Sequence, residues 1–509
     1  MNIKDAKMEI CNTIKAYTRK NNRGDYLFPL MRQRPVFLVG PPGIGKTAIM
    51  EQISRECGIG LVSYTITHHT RQSAIGLPRI ETKEYGGKTY SVTEYTMSEI
   101  IGSVYECIER TGHREGVLFI DEINCVSETL APTILQFLQY KTFGSHKVPD
   151  GWVIVTAGNP SEYNKSVHEF DVATLDRVKM ISVEADYDTW KEYAYDNQIH
   201  GAIISYLNIK NNHFYYIEQT ADGKLFVTAR GWEDLSQIMK SYEELNVPVT
   251  EELAKQYLQQ PEIARDFVAY YQLYKKYKTD YKVMEILEGT LSEEKYQMRI
   301  RLAQNADFDE RLTITGLLLG RLQEYWTDYK TSEDFITDLH QALLKCRDFL
   351  YSRGNTEAIG EFIKDKKQRL QVKIDTGIVK QEEEIREKKV IRKLEDYFLE
   401  IKKERLTKPE LEFEKMNEQF QNELRQKKQM IEQTSQALSN GFAFLEKSFG
   451  KEQEMVVFVT SISRNNAAME FIQTHGSKEY LQYSKELLFR QKEQELKKQI
   501  EQLQSVTNI

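Results

Sequence analysis

The sequence predicts an α/β core built on a parallel sheet, followed by an all-α, partly coiled-coil C-terminal region. Three observations predict it. Short β-branched runs alternate with amphipathic stretches up to about residue 190, a glycine-rich loop lies between the first run and the helix after it, and beyond about residue 350 the composition turns to Glu, Lys and Gln with sparse apolar positions.

The strands expected are "PVFLVG", "GLVSYTIT", "GVLFID" and "WVIVTAGN". Continuous apolar runs of this kind suit strands buried on both faces of a parallel sheet, with helices between them. From 186 to 350 the pattern is helical and rich in Tyr and charged residues, broken by "HFYYIEQTADGKLFVTAR", which reads as a hairpin around Asp222-Gly223. Further on, Phe413, Met416, Phe420, Leu424, Ile431, Leu438, Leu445 and Phe449 form a heptad-like seam for long helices that pack as a hairpin or coiled coil. Breaks are expected at Pro409 and Asn440-Gly441. "MVVFVTSI" suits either a strand or a buried helix, with the helix favoured, and "LLFRQKEQELKKQIEQLQ" reads as an amphipathic helix. The expected division is therefore 1–185, 186–350 and 351–509.

At 509 residues the chain is too long for one core. Its 69 basic and 76 acidic side chains leave a net charge of −7, so no global attraction draws it to nucleic acid or to an anionic membrane. Five cysteines without CxxC spacing argue for a reducing compartment and against a disulfide framework or structural zinc. The N-terminus lacks an apolar signal-like stretch, and nowhere is there a run of about 18 apolar residues. A cytoplasmic protein with no membrane insertion is the expectation. His68 and His69 are adjacent, so on a strand they point to opposite faces and read as local hydrogen-bonding residues. Arg71, close by, could serve a subunit contact.

"FLVGPPGIGKTAIM" places Gly40, Pro41, Pro42, Gly43, Ile44, Gly45, Lys46, Thr47 and Ala48 between an apolar strand and a helix. The glycines let successive backbone N–H groups turn inward around phosphates. Lys46 can reach the β- and γ-phosphates, Thr47 can ligate Mg²⁺, and the helix N-terminus adds partial positive charge. "GVLFIDEIN" then ends an apolar strand in Asp121-Glu122. Asp121 can hold Mg²⁺, and Glu122 can polarise a water for attack on the γ-phosphate. Two carboxylates at the end of a buried strand are costly unless metal or water satisfies them. The two motifs together point to hydrolysis of a nucleoside triphosphate.

Asn159 ends the next strand, where a neutral amide could hold the attacking water or a γ-phosphate oxygen. Arg177 closes an Asp-Arg pair on a short helix; a cation near the γ-phosphate stabilises the charge that builds up in phosphoryl transfer. If its helix faces away from its own nucleotide, Arg177 can act only on a neighbour's, and that requires an oligomer.

"GPPGIGKT", "FIDEIN", "TAGNP", "LDR" and "VTARGWEDL" occur in the order seen in AAA+ ATPases, and the chain resembles their MoxR-like branch over roughly its first 240 residues. The resemblance implies a P-loop NTPase core with a small helical lid, using ATP and Mg²⁺. Lys46 and Thr47 resemble the Walker A pair, and Asp121 and Glu122 the Walker B pair. Asn159 looks like sensor 1, Arg177 like an arginine finger acting in trans, and Arg230 like the sensor 2 arginine. Thr228-Ala229-Arg230 stands where the family usually has Ser-Pro-Arg. "LPRIETKEYGGKTYSVTEYTMSEII", turning at Gly86-Gly87, resembles the family's helix-2 insert, with a second hairpin expected near "YKTFGSHKVPDGW". Tyr85, Lys88 and His146 at the tips are candidate substrate or partner contacts, or simply exposed turn residues.

The resemblance further implies a homo-oligomeric ring, a hexamer, that remodels or activates a protein partner carrying a von Willebrand factor A-type domain. Two alternatives stand beside it. One is a nucleic-acid-acting helix-2-insert NTPase, against which the acidic balance counts. The other is a slow ATP-gated scaffold acting through its C-terminal helices. Guanine specificity of the Ras kind is not expected, since "NKSV" at Asn164 lacks the Asp that reads guanine. No "LSGGQ"-like signature supports an ABC transporter subunit.

Overall fold

The computed structural model describes residues 1–68, 76–127, 130–143, 146–163, 167, 170–220, 223–353, 357–375, 381–404, 406 and 408–487. His69, Arg71, Asn164, Asp222, the His68 side chain and the C-terminal helix expected after Leu487 lie outside these residues. The chain divides into two compact units, Met1–Trp190 with Phe214–Asp234, and Lys191–His213 with Leu235–Ile509.

The first unit carries the strands β1 (Val36–Val39), β2 (Gly60–Thr65), β3 (Pro78–Tyr85), β4 (Lys88–Tyr95), β5 (Gly116–Asp121), β6 (Thr142–Phe143), β7 (His146–Lys147), β8 (Trp152–Gly158), β9 (Lys179–Ser182), β10 (Tyr216–Thr220) and β11 (Gly223–Val227). Five of them form one sheet in the order β2-β5-β8-β1-β9, and every pairing in it is parallel. Successive side chains point to opposite faces of a strand, and both faces are covered. Phe37, Leu118, Ile120 and Ile154 face one core with Ile101 and Val104 of the helix Glu99–Thr111. Val36, Leu38, Val117, Phe119, Val153 and Val155 face the other, with Ile10 and Ile14 of the helix Ile3–Tyr17 and Ile49 and Ile53 of the helix Ala48–Cys57. Each such side chain contributes roughly 1.5–3 kcal/mol when buried, which is why the apolar runs find the centre of the sheet.

β9 was not among the expected strands. It is an edge strand of four residues in which Ile181 alone is fully buried, and its Lys179 reaches back to Glu9 at 2.5 Å and Thr13 at 2.6 Å. Short, charged edges carry little apolar signal. The hairpin β3–β4, turning at Gly86-Gly87, the hairpin β6–β7 and the hairpin β10–β11 all form where the sequence placed them.

The second unit is helical. Its longest helices are Phe308–Arg353 and Pro409–Phe449, and a core of Leu339, Leu343, Leu350, Ile359, Leu394, Tyr397, Met416 and Phe420 joins them to the helices Glu357–Asp375 and Gln381–Glu404. Met416, Phe420, Leu438, Leu445 and Phe449 of the expected seam are buried. Pro409 opens its helix at the first turn, where a missing N–H costs nothing.

Asn440-Gly441 does not break that helix, contrary to expectation. The Asn440 amide donates to the Leu287 carbonyl at 2.8 Å, and Gly441 lets Leu287 and Phe458 approach to within 3.3 and 3.4 Å of where a Cβ would stand. The glycine serves a close approach between elements and not a turn. "MVVFVTSI" lies in the helix Gln453–Ser463, as expected. Among the described residues no helix is long and apolar enough to cross a membrane.

Candidate active site

Because the sheet is parallel, the loops after β1, β5 and β8 all leave from one edge, the edge where open α/β sheets bind ligands. The loop after β1 runs Gly40–Thr47 into the helix Ala48–Cys57. Gly43 and Gly45 take φ of +74° and +94°, conformations that a side chain resists. Gly40 N–H donates to the Gly158 carbonyl at 3.3 Å, tying the start of the loop to the end of β8.

Lys46 is buried. Its Nζ donates to the carbonyls of Gly40 at 2.8 Å and Pro41 at 2.7 Å, and to Asn159 Oδ1 at 2.8 Å. Burial pushes this ammonium down to about 8; Asp121 and Glu122 oppose the shift, and Arg230 adds to it. Thr47 Oγ1 donates to Asp121 Oδ2 at 2.7 Å, while Asp121 Oδ1 accepts the Glu122 N–H at 2.9 Å. Hydroxyl and carboxylate oxygens are the donors Mg²⁺ favours, so the Thr47–Asp121 pair fits that ion. Glu122 itself sits at φ +56°, a left-handed conformation that costs roughly 1–2 kcal/mol outside glycine. The strain lets the chain leave β5 into the 3-10 turn Ile123–Cys125.

Segment 214–234 of the same unit folds back over the loop. Tyr215 donates its hydroxyl to the Pro42 carbonyl at 3.0 Å, Thr228 packs against Gly43, and Arg230 N–H donates to the Gly43 carbonyl at 3.3 Å. Trp232 is fully buried beneath, its indole N–H on the Phe214 carbonyl at 3.2 Å. The Arg230 side chain is exposed.

The structure thus brings together Gly40 to Ala48, Asp121, Glu122, Asn159 and the Arg230 backbone. It does not bring Arg177 to them. Arg177 follows the short helix Val172–Leu175, whose N-cap Asp171 accepts the Thr174 N–H at 2.8 Å. In register, Val36 pairs with Lys179 and Val39 with Ser182. Arg177 therefore stands where β9 begins, while the phosphate-type loop stands where β1 ends, with roughly 13 Å of strand between the two edges at ~3.3 Å per residue. The Arg177 guanidinium is exposed, and its charge adds to the Thr174 hydrogen bonds that hold the Asp171 carboxyl below its usual range.

Two further residues of the site carry no functional signal in the sequence. Asn124, whose Nδ2 donates to the Asn159 carbonyl at 2.7 Å, lies within the quoted "FIDEIN", but its contact partner is 35 residues away and leaves no local signal. Tyr215 has no local signal, because what it touches is 173 residues away in the chain. At the hairpin tips, Tyr85 is exposed, but His146 shares a hydrogen bond with the Tyr95 carbonyl at 3.1 Å and so braces the base of β3–β4.

No curated protein matches the chain. Residues 35–178, which hold β1 through Arg177, match the family model of the AAA domain, dynein-related subfamily.

Proposed function

We propose that the chain is a MoxR-like AAA+ ATPase that works as a homo-oligomeric ring, six-membered as in the family it resembles, and remodels or activates a protein partner bearing a von Willebrand factor A-type domain. The AAA domain implies ATP hydrolysis. The observation that carries the reading is the opposition of Arg177 to its own phosphate loop across the sheet. A site so arranged has its positioning lysine and its carboxylates in one chain, and is completed by the exposed arginine of the next.

In this reading the loop N–H groups and the helix N-terminus hold the phosphates of ATP. Lys46 exchanges its bonds to Gly40 and Pro41 for phosphate oxygens. Thr47, with Asp121 beside it, would hold Mg²⁺, and the ion would supply charge neutralisation to the phosphates. Glu122 takes the proton of the attacking water, and Asn159 orients that water or a γ-phosphate oxygen. Arg230 reads nucleotide state from above the loop, and Arg177 of the neighbour stabilises the charge that develops in the transition state. Residues 1–185 would be the core, 186–350 the lid with its extension, and 351–509 the arm that meets the partner. Five free cysteines suit a reducing, cytoplasmic setting.

The test is ATP hydrolysis per chain as protein concentration rises to tens of micromolar, about the range in which weak rings assemble. A steep rise that is lost in Arg177→Ala is expected. A flat, appreciable rate where sizing shows monomer would overturn the ring.

A further inference from the structure

Asn124 is 6% exposed and sits in the turn directly after Glu122. Its Nδ2 donates to the backbone carbonyl of Asn159 at 2.7 Å. Its Oδ1 is buried with no hydrogen-bond partner. A Cβ on Gly158 would stand 2.4 Å from that oxygen and 2.7 Å from Asn124 Cγ, so the end of β8 is shaped around this amide. We propose that Asn124 is a positioning residue for hydrolysis: it ties the turn that carries Glu122 to the peptide that carries Asn159, and so sets the spacing between the two groups that face the reacting water.

The proposal rests on the ATPase reading above and deepens it. The bonds run in series: Lys46 Nζ to Asn159 Oδ1 at 2.8 Å, then Asn159 O to Asn124 Nδ2 at 2.7 Å, then along the turn to Glu122. An orphaned buried oxygen is a standing cost. An apolar side chain would fill the space without that cost but could not hold the Asn159 carbonyl. An aspartate would lose the donor and add a third negative charge beside Asp121 and Glu122. Among residues of this size, an amide meets both demands. Misplacing a reacting group by about 1 Å can cost on the order of a hundredfold in rate, so the bond is worth keeping for catalysis.

The experiment compares Asn124→Ala, Gly158→Ala and the double variant with wild type and with Glu122→Gln. It reads kcat and KM for ATP, affinity for a fluorescent ATP analogue, and Tm. Asn124→Ala is expected to lower kcat by about 10- to 100-fold with KM and analogue affinity within about twofold. Gly158→Ala alone should lower Tm, because its methyl meets the Asn124 amide. Adding Asn124→Ala to it removes the three nearest atoms and should restore Tm without restoring kcat. Recovery of kcat together with Tm in the double variant would show that Asn124 only fills space, and would overturn the proposal. So would Asn124→Ala losing analogue affinity in parallel with kcat. A wild-type chain with no hydrolysis that Glu122→Gln removes would sink the ATPase reading itself, and this proposal with it.

Discussion

Gly43→Ala is the sharpest perturbation of the phosphate loop, because two separable costs meet there. The residue sits at φ +74°, where an L side chain costs roughly 1–2 kcal/mol. Its new Cβ would also lie 2.8 Å from Thr228 Cβ, 2.9 Å from Thr228 Oγ1 and 3.2 Å from Thr228 Cγ2. The nearest of these atoms belongs to a stiff β-branched side chain at the start of the helix Ala229–Glu244, so it cannot swing away. The loop must then lift off Thr228, and the 3.3 Å bond from Arg230 N–H to the Gly43 carbonyl goes with it. Gly45 makes the control: at φ +94° it carries the strain, but nothing stands within 4 Å of its Cβ position. At 1.4 kcal/mol per tenfold, Gly45→Ala should weaken ATP binding by about tenfold. Gly43→Ala, with a lost hydrogen bond and overlap added, should weaken it by about a hundredfold. Thr228→Ala should rescue little, since it leaves the Cβ at 2.8 Å, whereas Thr228→Gly should recover the steric share. Calorimetric titration with Mg-ATP measures all four. Equal affinities for the two glycine variants, or rescue by Thr228→Ala as good as by Thr228→Gly, would refute the reasoning.

Glu122→Gln should keep ATP affinity within a few-fold while hydrolysis falls by about 10²-fold or more, read by parallel binding and phosphate-release assays. Tyr215→Phe deletes one donor to the Pro42 carbonyl; at ~1 kcal/mol for such a bond, nucleotide affinity should drop about fivefold, and an unchanged value would show that the hydroxyl does not hold the loop. Lys141 is a buried lysine donating to Gln33 Oε1 at 2.7 Å, and burial pushes its ammonium down to about 7 from the usual 10.5. Between those values the folded chain binds fewer protons than the unfolded one, so this group makes stability rise with pH from about 7 towards 10. Thermal melts across that range should show the rise, and Lys141→Met should flatten it.

What could be read in the sequence was whatever depends on near neighbours. The order strand, glycine loop, Lys46-Thr47, helix is local chemistry, and so are the Gly86-Gly87 turn and the apolar strand that ends in Asp121-Glu122. The fold class followed from these, because buried strands need apolar runs and a loop with positive φ at Gly43 and Gly45 needs glycine there. Tertiary structure decided the rest. The edge strand β9 carries no local signal, because its stabilisation comes from pairing with β1 and from the Lys179–Glu9 contact, not from its own apolarity. Asn440-Gly441 reads locally as a break, yet packing against Leu287 and Phe458 keeps the helix whole. That Asn124 holds Asn159, that Tyr215 holds Pro42, and that Arg177 stands at the far edge of the sheet from its own loop all depend on strand order and register. Those are properties of long-range pairing, which residues near in sequence do not encode singly; the local pattern supplied the chemical groups, and only the assembled sheet determined which of them meet.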